Sequence, residues 1–155
     1  MKKNPVVSKT FLQRLLPGLR KRRKKIVFTN GVFDILHRGH VDYLQTAKAA
    51  GDYLIVGLNS DRSVKRLKGP HRPIQNQDDR ATIVASLKPV DFVVLFDEST
   101  PESLIRTIKP DVLAKGADYK FSQIVGAEFV KSYGGTVRRI KLSAGRSTSR
   151  ILTRL

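Results

Sequence analysis

Two histidines with phosphate-binding character, His37 and His40, lie three residues apart in the segment His-Arg-Gly-His, directly before a predicted helix. Each imidazole can donate a hydrogen bond to a phosphate oxygen, and the first turn of a helix adds free amides and the positive end of its dipole. Gly39 lets a phosphate approach the backbone closely. The pattern therefore predicts a phosphate site. A metal site, for which only the distant His71 remains as a further histidine, and a purely structural pair stay as alternatives.

Apolar segments that alternate with helical ones must position these histidines. The sequence predicts strands at 26–29, 52–58, 91–96, 111–114 and 136–140, and helices at 41–50, 78–87, 122–132 and 147–155, with one more that begins near 99–102 and ends before Pro110. Residues 69–77 are predicted to form a loop. Near-continuous apolar strands between helices indicate a Rossmann-like, doubly wound α/β fold, a five-stranded parallel sheet with helices on both faces. In such sheets ligands bind beyond the carboxyl ends of the strands, at the switch point.

The turn after the first strand supplies further phosphate-binding candidates. Thr29 ends that strand, and Asn30, Gly31 and Phe33 follow it before the histidines, where backbone amides can hold phosphate. Asp34 lies in the same segment. It is predicted either to bind substrate or to cap the local turn.

The start of the last predicted helix offers a second phosphate cradle. Ser147, Thr148 and Ser149 carry hydroxyls and amides that suit an anion, and ordinary N-capping is the alternative. Arg146 precedes them and is a further candidate ligand.

Cations flank the glycine- and proline-rich loop. Lys65, Lys68 and Arg72 can clamp a polyphosphate when such a loop closes, and ordinary surface charge is the alternative. Arg80 lies near the start of the next predicted helix, where a cation opposes the helix dipole, so a phosphate or carboxylate partner is expected.

Two strand ends carry residues that could contact a sugar or nucleotide. Lys115, Gly116 and Asp118 follow the fourth strand, where glycine permits close approach and the carboxylate can accept from hydroxyls. Asp61, just after the second strand, is a similar candidate.

The charge of the chain is unusual, a formal +17 from 30 basic and 13 acidic residues. Ten of the basic residues lie in residues 1–25, which hold no acid, and residues 20–25 are all cations. We interpret residues 1–24 as a basic leader or linker helix and residues 25–155 as the main domain. Pro17-Gly18 predicts a short helix followed by a turn rather than one long helix. A packing helix with a charged outer face and a nucleic-acid-binding arm are the alternatives for the leader.

Composition excludes several classes of protein. The chain has no cysteine, which excludes a disulfide scaffold, a thiolate metal site and a cysteine nucleophile. We find no apolar run of the roughly 18 residues that a membrane span needs and no secretory signal. A cytoplasmic protein without membrane contact is therefore expected.

The segment GVFDILHRGH resembles the HxGH signature of the nucleotidyltransferase superfamily. Three later segments, RLKGPHRPI, KPDVLAKGADYK and GRSTSRI, are similar to the adenylyltransferase domain of bacterial heptose-phosphate enzymes. The resemblance covers nearly all of residues 25–155, and in many bacteria the domain follows a sugar kinase. A stand-alone form is expected here, with the leader in the place of the linker helix.

This resemblance implies transfer of AMP from ATP to D-glycero-β-D-manno-heptose 1-phosphate, which gives ADP-heptose and pyrophosphate for lipopolysaccharide core synthesis. It implies Mg²⁺ carried by the ATP phosphates, no metal site of the protein's own, and a homodimer or larger homo-oligomer. His37, His40 and Lys68 are the predicted catalytic residues. The nucleotide would contact the first turn, both phosphate cradles and the fourth strand end, and the sugar phosphate would contact Asp34, Asp61, Lys65, Arg72 and Arg80.

Two other functions remain open from the sequence. A cytidylyltransferase acting on glycerol 3-phosphate or phosphoethanolamine, or a related flavin-nucleotide enzyme, would keep the chemistry and change the substrates. A nucleic-acid-binding protein that uses the basic leader belongs to a different class, and its binding would be salt-sensitive. Nucleic acid is not the expected partner, because no aromatic residue alternates with the leader's cations.

Overall fold

A computed structural model describes residues 5–155 of the chain, so Lys2 and Lys3 of the basic leader lie outside the described residues. Helices and strands follow in the order α1 Lys9–Lys21, β1 Ile26–Gly31, α2 Arg38–Lys48, β2 Tyr53–Asn59, α3 Asp61–Lys68, α4 Gln77–Ala85, β3 Phe92–Phe96, α5 Glu102–Ile108, β4 Val112–Gly116, α6 Ala127–Ser132, β5 Thr136–Ile140 and α7 Thr148–Leu152. A short 3₁₀ turn, Phe121–Gln123, precedes α6.

The five strands form one all-parallel sheet in the order β3-β2-β1-β4-β5. The predicted doubly wound α/β sheet is therefore confirmed. Chain order reverses between β1 and β4, which makes their carboxyl ends the switch point of the sheet.

Burial on both faces of the sheet explains why the strands read as apolar runs. In β1, Phe28 packs into one core cluster with Ile55 and Leu113, whereas its neighbour Val27 packs into a second cluster with Leu54. Successive strand residues point to opposite faces, so each helical layer covers an unbroken apolar surface.

Helix α1 packs on this same core. Leu12, Leu16 and Leu19 are almost completely buried, and they belong to the cluster that contains Phe28. The alternative of a packing helix with a charged outer face is confirmed. The predicted break at Pro17 is wrong, because α1 continues through it to Lys21. The buried leucines lie on one helical stripe that runs past the proline, and their burial offsets the missing N–H bond.

Several element boundaries differ from the predicted ones. Helix α3 was not predicted; it begins after Ser60, whose side chain accepts a hydrogen bond from the Ser63 amide. Helix α6 begins only at Ala127, since Gly126 before it has φ +82°, outside the helical region. Helix α7 ends at Leu152. No helix within residues 5–155 is both long enough and apolar enough to span a membrane.

Candidate active site at the carboxyl ends of the strands

A cavity of about 570 Å³ opens at the switch point, where β1 and β4 end. Most of the predicted site residues line it. They are Asn30, Gly31, Phe33, Asp34, His37, Gly39, His40, Lys68, Arg72, Lys115, Gly116, Asp118, Arg146, Ser147, Thr148 and Ser149. The fold thus brings residues near the beginning and near the end of the sequence together at the carboxyl ends of the strands.

The two histidines stack in the cavity at the start of α2. Their ring centroids are 3.9 Å apart with an interplanar angle of 27°. The His37 amide donates to Nδ1 of His40 at 3.3 Å, so the neutral His40 carries its proton on Nε2. Nδ1 of His37 is buried and has no hydrogen-bond partner among the described residues. Both imidazoles therefore keep hydrogen-bonding capacity for a ligand.

Burial keeps these imidazoles neutral near pH 7. Desolvation, followed by repulsion from His37, lowers the pKa of His40 to about 4. Desolvation and the nearby Arg146 guanidinium lower the pKa of His37 as well. An anionic ligand would oppose both effects by stabilising the imidazolium form.

We expect the pKa of His40 to make folding stability fall in mild acid. The unfolded chain takes up this proton near pH 6.5 and the folded chain only near pH 4, so protonation favours unfolding across that window. The free energy of unfolding should therefore decrease by about 2 kcal/mol between pH 7 and pH 5. Urea titrations of the wild type and of His40→Gln measure it. An equally steep pH dependence in His40→Gln would contradict the assignment.

Gly39 makes room for the histidine pair. A Cβ at this position would lie 2.9 Å from Cε1 and Nδ1 of the His37 ring and 3.4 Å from Cβ of Arg146. Contacts of that length force the imidazole to move. Gly31 is constrained in a similar way, because a Cβ there would lie 2.7 Å from the Phe33 ring.

The variant Gly39→Ala should lose activity without losing stability. Alanine favours the helical backbone by roughly 0.5–1 kcal/mol over glycine, but its methyl group displaces His37. We expect kcat/KM to fall by about 10–100-fold, since a small misplacement in a reacting site costs that much. Gly18→Ala in α1, where a Cβ meets nothing within 4 Å, is the matched control and should keep full activity. Equal activity of both variants would contradict this role of Gly39.

A lysine at the end of β4 faces the end of β1. Nζ of Lys115 donates to Oδ1 of Asn30 at 3.1 Å and lies 5.1 Å from the centroid of the Tyr119 ring. Desolvation lowers the pKa of Lys115, while Asp118 opposes that shift. A Cβ on Gly116 would lie 2.4 Å from Oδ1 of Asp118, so the glycine lets this carboxylate fold against the backbone.

The loop before α7 closes the other side of the cavity. Ser147 is the N-cap of α7 and accepts from the Arg150 amide at 3.1 Å. The Thr148 hydroxyl donates to the Ile35 carbonyl at 3.0 Å, which ties this loop to the turn that precedes the histidines. Ser149 and Arg146 are exposed and line the cavity.

Asp34 holds the loop that carries Arg72. Its carboxylate, almost fully buried, accepts from Nε of Arg72 at 2.7 Å and from the amides of Ile74 and Gln75 at 2.9 and 3.0 Å. Burial alone would raise the pKa of Asp34, but these hydrogen bonds and the Arg72 charge lower it. The predicted capping of its own turn is wrong, because these partners lie in the loop some forty residues later. Substrate binding stays a prediction for Asp34, which lines the cavity.

Four candidates do not line the cavity. Lys65 is exposed to solvent outside the cavity. The Thr29 hydroxyl instead lies 2.8 Å from the hydroxyl of Tyr43. Arg80 is fully buried, and its Nη2 donates to Oδ1 of Asp61 at 2.8 Å. Of the two partners expected for Arg80, the carboxylate is therefore the one present in the structure.

Other lining residues carried no clear signal in the sequence. Tyr43, Asn59, Ser99, Thr100, Tyr119, Gln123 and Leu142 also line the cavity. In the sequence, Ser99 and Thr100 are typical of a helix start, and the apolar pattern predicts that Gln123 lies in a helix. Only the position of Tyr119 directly after the fourth strand end could have pointed to the site.

A metal ion has no cluster of ligands prepared for it in residues 5–155. No group of three or more His, Cys, Asp or Glu side chains there is arranged to hold one. The lining does include cations such as Lys68, Arg72 and Arg146, which suit the oxygens of a polyphosphate.

Comparison with curated proteins finds relatives over most of the chain. The bifunctional protein HldE of Wolinella succinogenes is 54% identical over 97% of this chain, which is 31% of that protein. HldE of Helicobacter pylori is 56% identical over 93% of this chain and 30% of its own length. The chain thus spans about a third of the length of these relatives.

Comparison with solved structures gives the same fold. A lipopolysaccharide core biosynthesis protein of Thermoplasma volcanium is 34% identical, with a TM-score of 0.62 over 77% of this chain and 97% of that one. A pantoate-beta-alanine ligase of Francisella tularensis, 18% identical, superposes with a TM-score of 0.66 over 99% of this chain and 74% of that one. The second likeness concerns the fold alone.

The family comparison covers the site itself. The cytidylyltransferase-like family model matches residues 28–151, from within β1 through the His-Arg-Gly-His segment to α7. With relatives above 50% identity and the cavity at the switch point, this chain belongs to the cytidylyltransferase-like family of nucleotidyltransferases.

Proposed function

We propose that this protein transfers AMP from ATP to the phosphate of D-glycero-β-D-manno-heptose 1-phosphate, which gives ADP-heptose and pyrophosphate. The observation that carries the proposal is the identity of 54–56% with HldE proteins over almost the whole described chain. The likeness to a lipopolysaccharide core biosynthesis protein supports the same pathway. We place the reaction in the cytoplasm, where ATP is available.

The reaction needs no covalent intermediate on the protein. An oxygen of the sugar phosphate attacks the α-phosphorus of ATP in line, and a new P–O bond forms. The bond from the α-phosphorus to the oxygen that bridges to the β-phosphate breaks, and pyrophosphate leaves with that electron pair. Catalysis then depends on positioning the two substrates and stabilising the charge on the five-coordinate phosphorus.

The stacked imidazoles are the proposed donors to that phosphorus centre. Nε2–H of His40 is free to donate because Nδ1 already accepts from the His37 amide. His37 lies 3.9 Å away, ring to ring, and binds a neighbouring phosphate oxygen. Proton uptake on either ring when the triphosphate binds would add a positive charge where negative charge develops.

Cations at the rim hold the remaining phosphates. Arg146, which lies near enough to His37 to lower its pKa, lines the cavity together with Thr148 and Ser149. We assign the guanidinium of Arg146 and the amides of the other two residues to the β- and γ-phosphates. Lys68, at the end of α3, also lines the cavity and would neutralise the pyrophosphate as it leaves. Mg²⁺ enters as part of the ATP substrate, coordinated by phosphate oxygens.

The sugar and ribose hydroxyls are assigned to the polar end of the cavity. Asp118 accepts hydrogen bonds, while Lys115, held by Asn30, donates. Asp34 acts indirectly, because its hydrogen bonds keep Arg72 and its loop in place. A homodimer or larger assembly stays a prediction.

A pyrophosphate-release assay tests the substrates. ATP and CTP are each combined with heptose 1-phosphate, glycerol 3-phosphate and phosphoethanolamine, in the presence of Mg²⁺. We expect release only with ATP and heptose 1-phosphate. Release only with CTP and glycerol 3-phosphate would replace the proposed substrates, and no release from any pair would contradict the proposal as a whole.

A further inference from the structure

The basic leader contributes to a second cavity that the proposed function does not use. It has a volume of about 530 Å³ and is lined by Arg20, Arg23, Lys24, Lys25, Asp111, Tyr133, Gly134, Gly135 and Thr136. These residues precede or begin β1, β4 and β5, so the cavity opens at the amino ends of the strands. Strand β1 has six residues, which separates the two cavities by about 20 Å.

The charge in this basic cleft is strongly positive. Four cations face one carboxylate, that of Asp111, whose Oδ2 accepts from the Ile26 amide at 2.7 Å. Arg20 is used within the fold, as its guanidinium donates to the Ile108 and Lys109 carbonyls. The side chains of Arg23, Lys24 and Lys25 are exposed, and none has an ion-pair partner within residues 5–155.

Arg23 occupies a backbone position that favours glycine. The chain leaves α1 through two hydrogen bonds, from the Lys24 amide to the Leu19 carbonyl and from the Arg23 amide to the Arg20 carbonyl. This is the Schellman arrangement, and its left-handed residue, here Arg23 with φ 55°, is usually glycine. A side chain kept in a strained conformation points to a role for that side chain.

Compensation of the helix dipole does not account for the whole cluster. The dipole favours cations in the last turn of a helix, and Arg20 and Lys21 already lie there in α1. The effect falls off within that turn, and Lys24 and Lys25 lie beyond it.

We propose that this basic cleft binds a compact phosphorylated anion with at least two phosphoryl groups, such as pyrophosphate. Three free cations around one concave surface match several phosphate oxygens, and the Thr136 hydroxyl adds a donor. A nucleic acid fits less well, because Lys109 lies 4.9 Å from the centroid of the Tyr133 ring and Phe129 packs edge-on against it. Tyr133 is also the one aromatic residue that the described part of the chain places in the lining of the cleft, so successive bases would have no series of rings to stack on.

Nuclear magnetic resonance of the full-length, ¹⁵N-labelled chain locates the binding directly. Pyrophosphate is titrated at low ionic strength, and the amide signals of Gly134, Gly135 and Thr136 should shift and saturate. Because these signals report on the cleft alone, the result does not depend on which substrates the active site uses. Unchanged signals would overturn the proposal, as would saturation by a single-stranded RNA at lower concentration than by pyrophosphate.

Matched variants distinguish specific binding in the cleft from non-specific attraction of an anion to the positive surface. Lys24→Gln with Lys25→Gln should weaken binding at least about tenfold, whereas Arg14→Gln with Lys21→Gln, an equal loss of charge on α1 outside the cleft, should change it by less than about twofold. Arg23→Gly should weaken binding too, while its melting temperature stays the same or rises, because glycine suits φ 55°. Equal weakening in both charge pairs would show non-specific attraction and overturn the proposal.

Discussion

Replacing His40 by alanine is expected to lower kcat by about 10²–10³-fold, the cost of removing one preorganised donor from a developing oxyanion. The change removes the Nε2–H donor that the His37 amide holds in place through Nδ1. It also removes the ring that stacks on His37 at a centroid distance of 3.9 Å and makes a tilted contact with Phe33 at 5.2 Å. Steady-state pyrophosphate release with ATP and heptose 1-phosphate measures the effect.

His71→Ala is the matched control for this experiment. It removes the third histidine of the chain, which is exposed and does not line the cavity. We expect its kcat to stay within about twofold of the wild type, as for an ordinary surface substitution. If His40→Ala retained wild-type kcat with an unchanged melting temperature, the histidine pair would not stabilise the reacting phosphate.

A partial substitution tests what His40 contributes. Glutamine at position 40 offers an N–H donor but no titratable group. His40→Gln should therefore recover part of the activity lost in the alanine variant. Its kcat/KM should also change less as the pH falls toward 4, because the imidazole that takes up a proton there is gone.

The proximity of His37 and His40 at the start of a helix could be predicted from the sequence, because it depends only on neighbouring residues. Two imidazoles and a glycine at the start of a helix come together whatever the rest of the fold does, and phosphate binding by them stays a prediction. The sheet was predictable for a similar reason, since buried parallel strands are apolar on both faces. Residues such as Leu142 and Gln123 reach the cavity only through loop conformations that no periodicity records.

Long-range partners explain the other differences. Pro17 ends a helix when only local propensity acts, but the core that buries Leu16 and Leu19 on either side of it keeps α1 continuous. The sequence likewise placed Arg80 beside a phosphate or a carboxylate. Which of these two partners Arg80 has depends on Asp61, nineteen residues earlier in the chain. The position of Asp61 follows from helix α3, which was not predicted.

The second large effect is expected from Arg80→Met, which should lower the free energy of unfolding by about 3–5 kcal/mol. Arg80 is fully buried and donates from Nε to the Gln75 carbonyl at 2.9 Å and from Nη1 to the Val32 and Asn59 carbonyls, both at 2.8 Å. Methionine fills a similar space but leaves these three acceptors without a donor. Urea unfolding at pH 7 measures the loss.

Arg62→Met, on the exposed surface of α3, is the control and should change stability by less than about 0.5 kcal/mol. Arg80→Lys should recover less than half of the loss, because one ammonium group cannot reach acceptors on several sides. The two possible roles of Arg80 predict opposite results. If Arg80 binds substrate, its replacement should raise KM and leave stability unchanged. If Arg80 is a buried structural residue, its replacement should lower stability and leave KM unchanged in the molecules that stay folded. Because each of its three side-chain nitrogens already donates to a protein acceptor, the structure favours the second outcome.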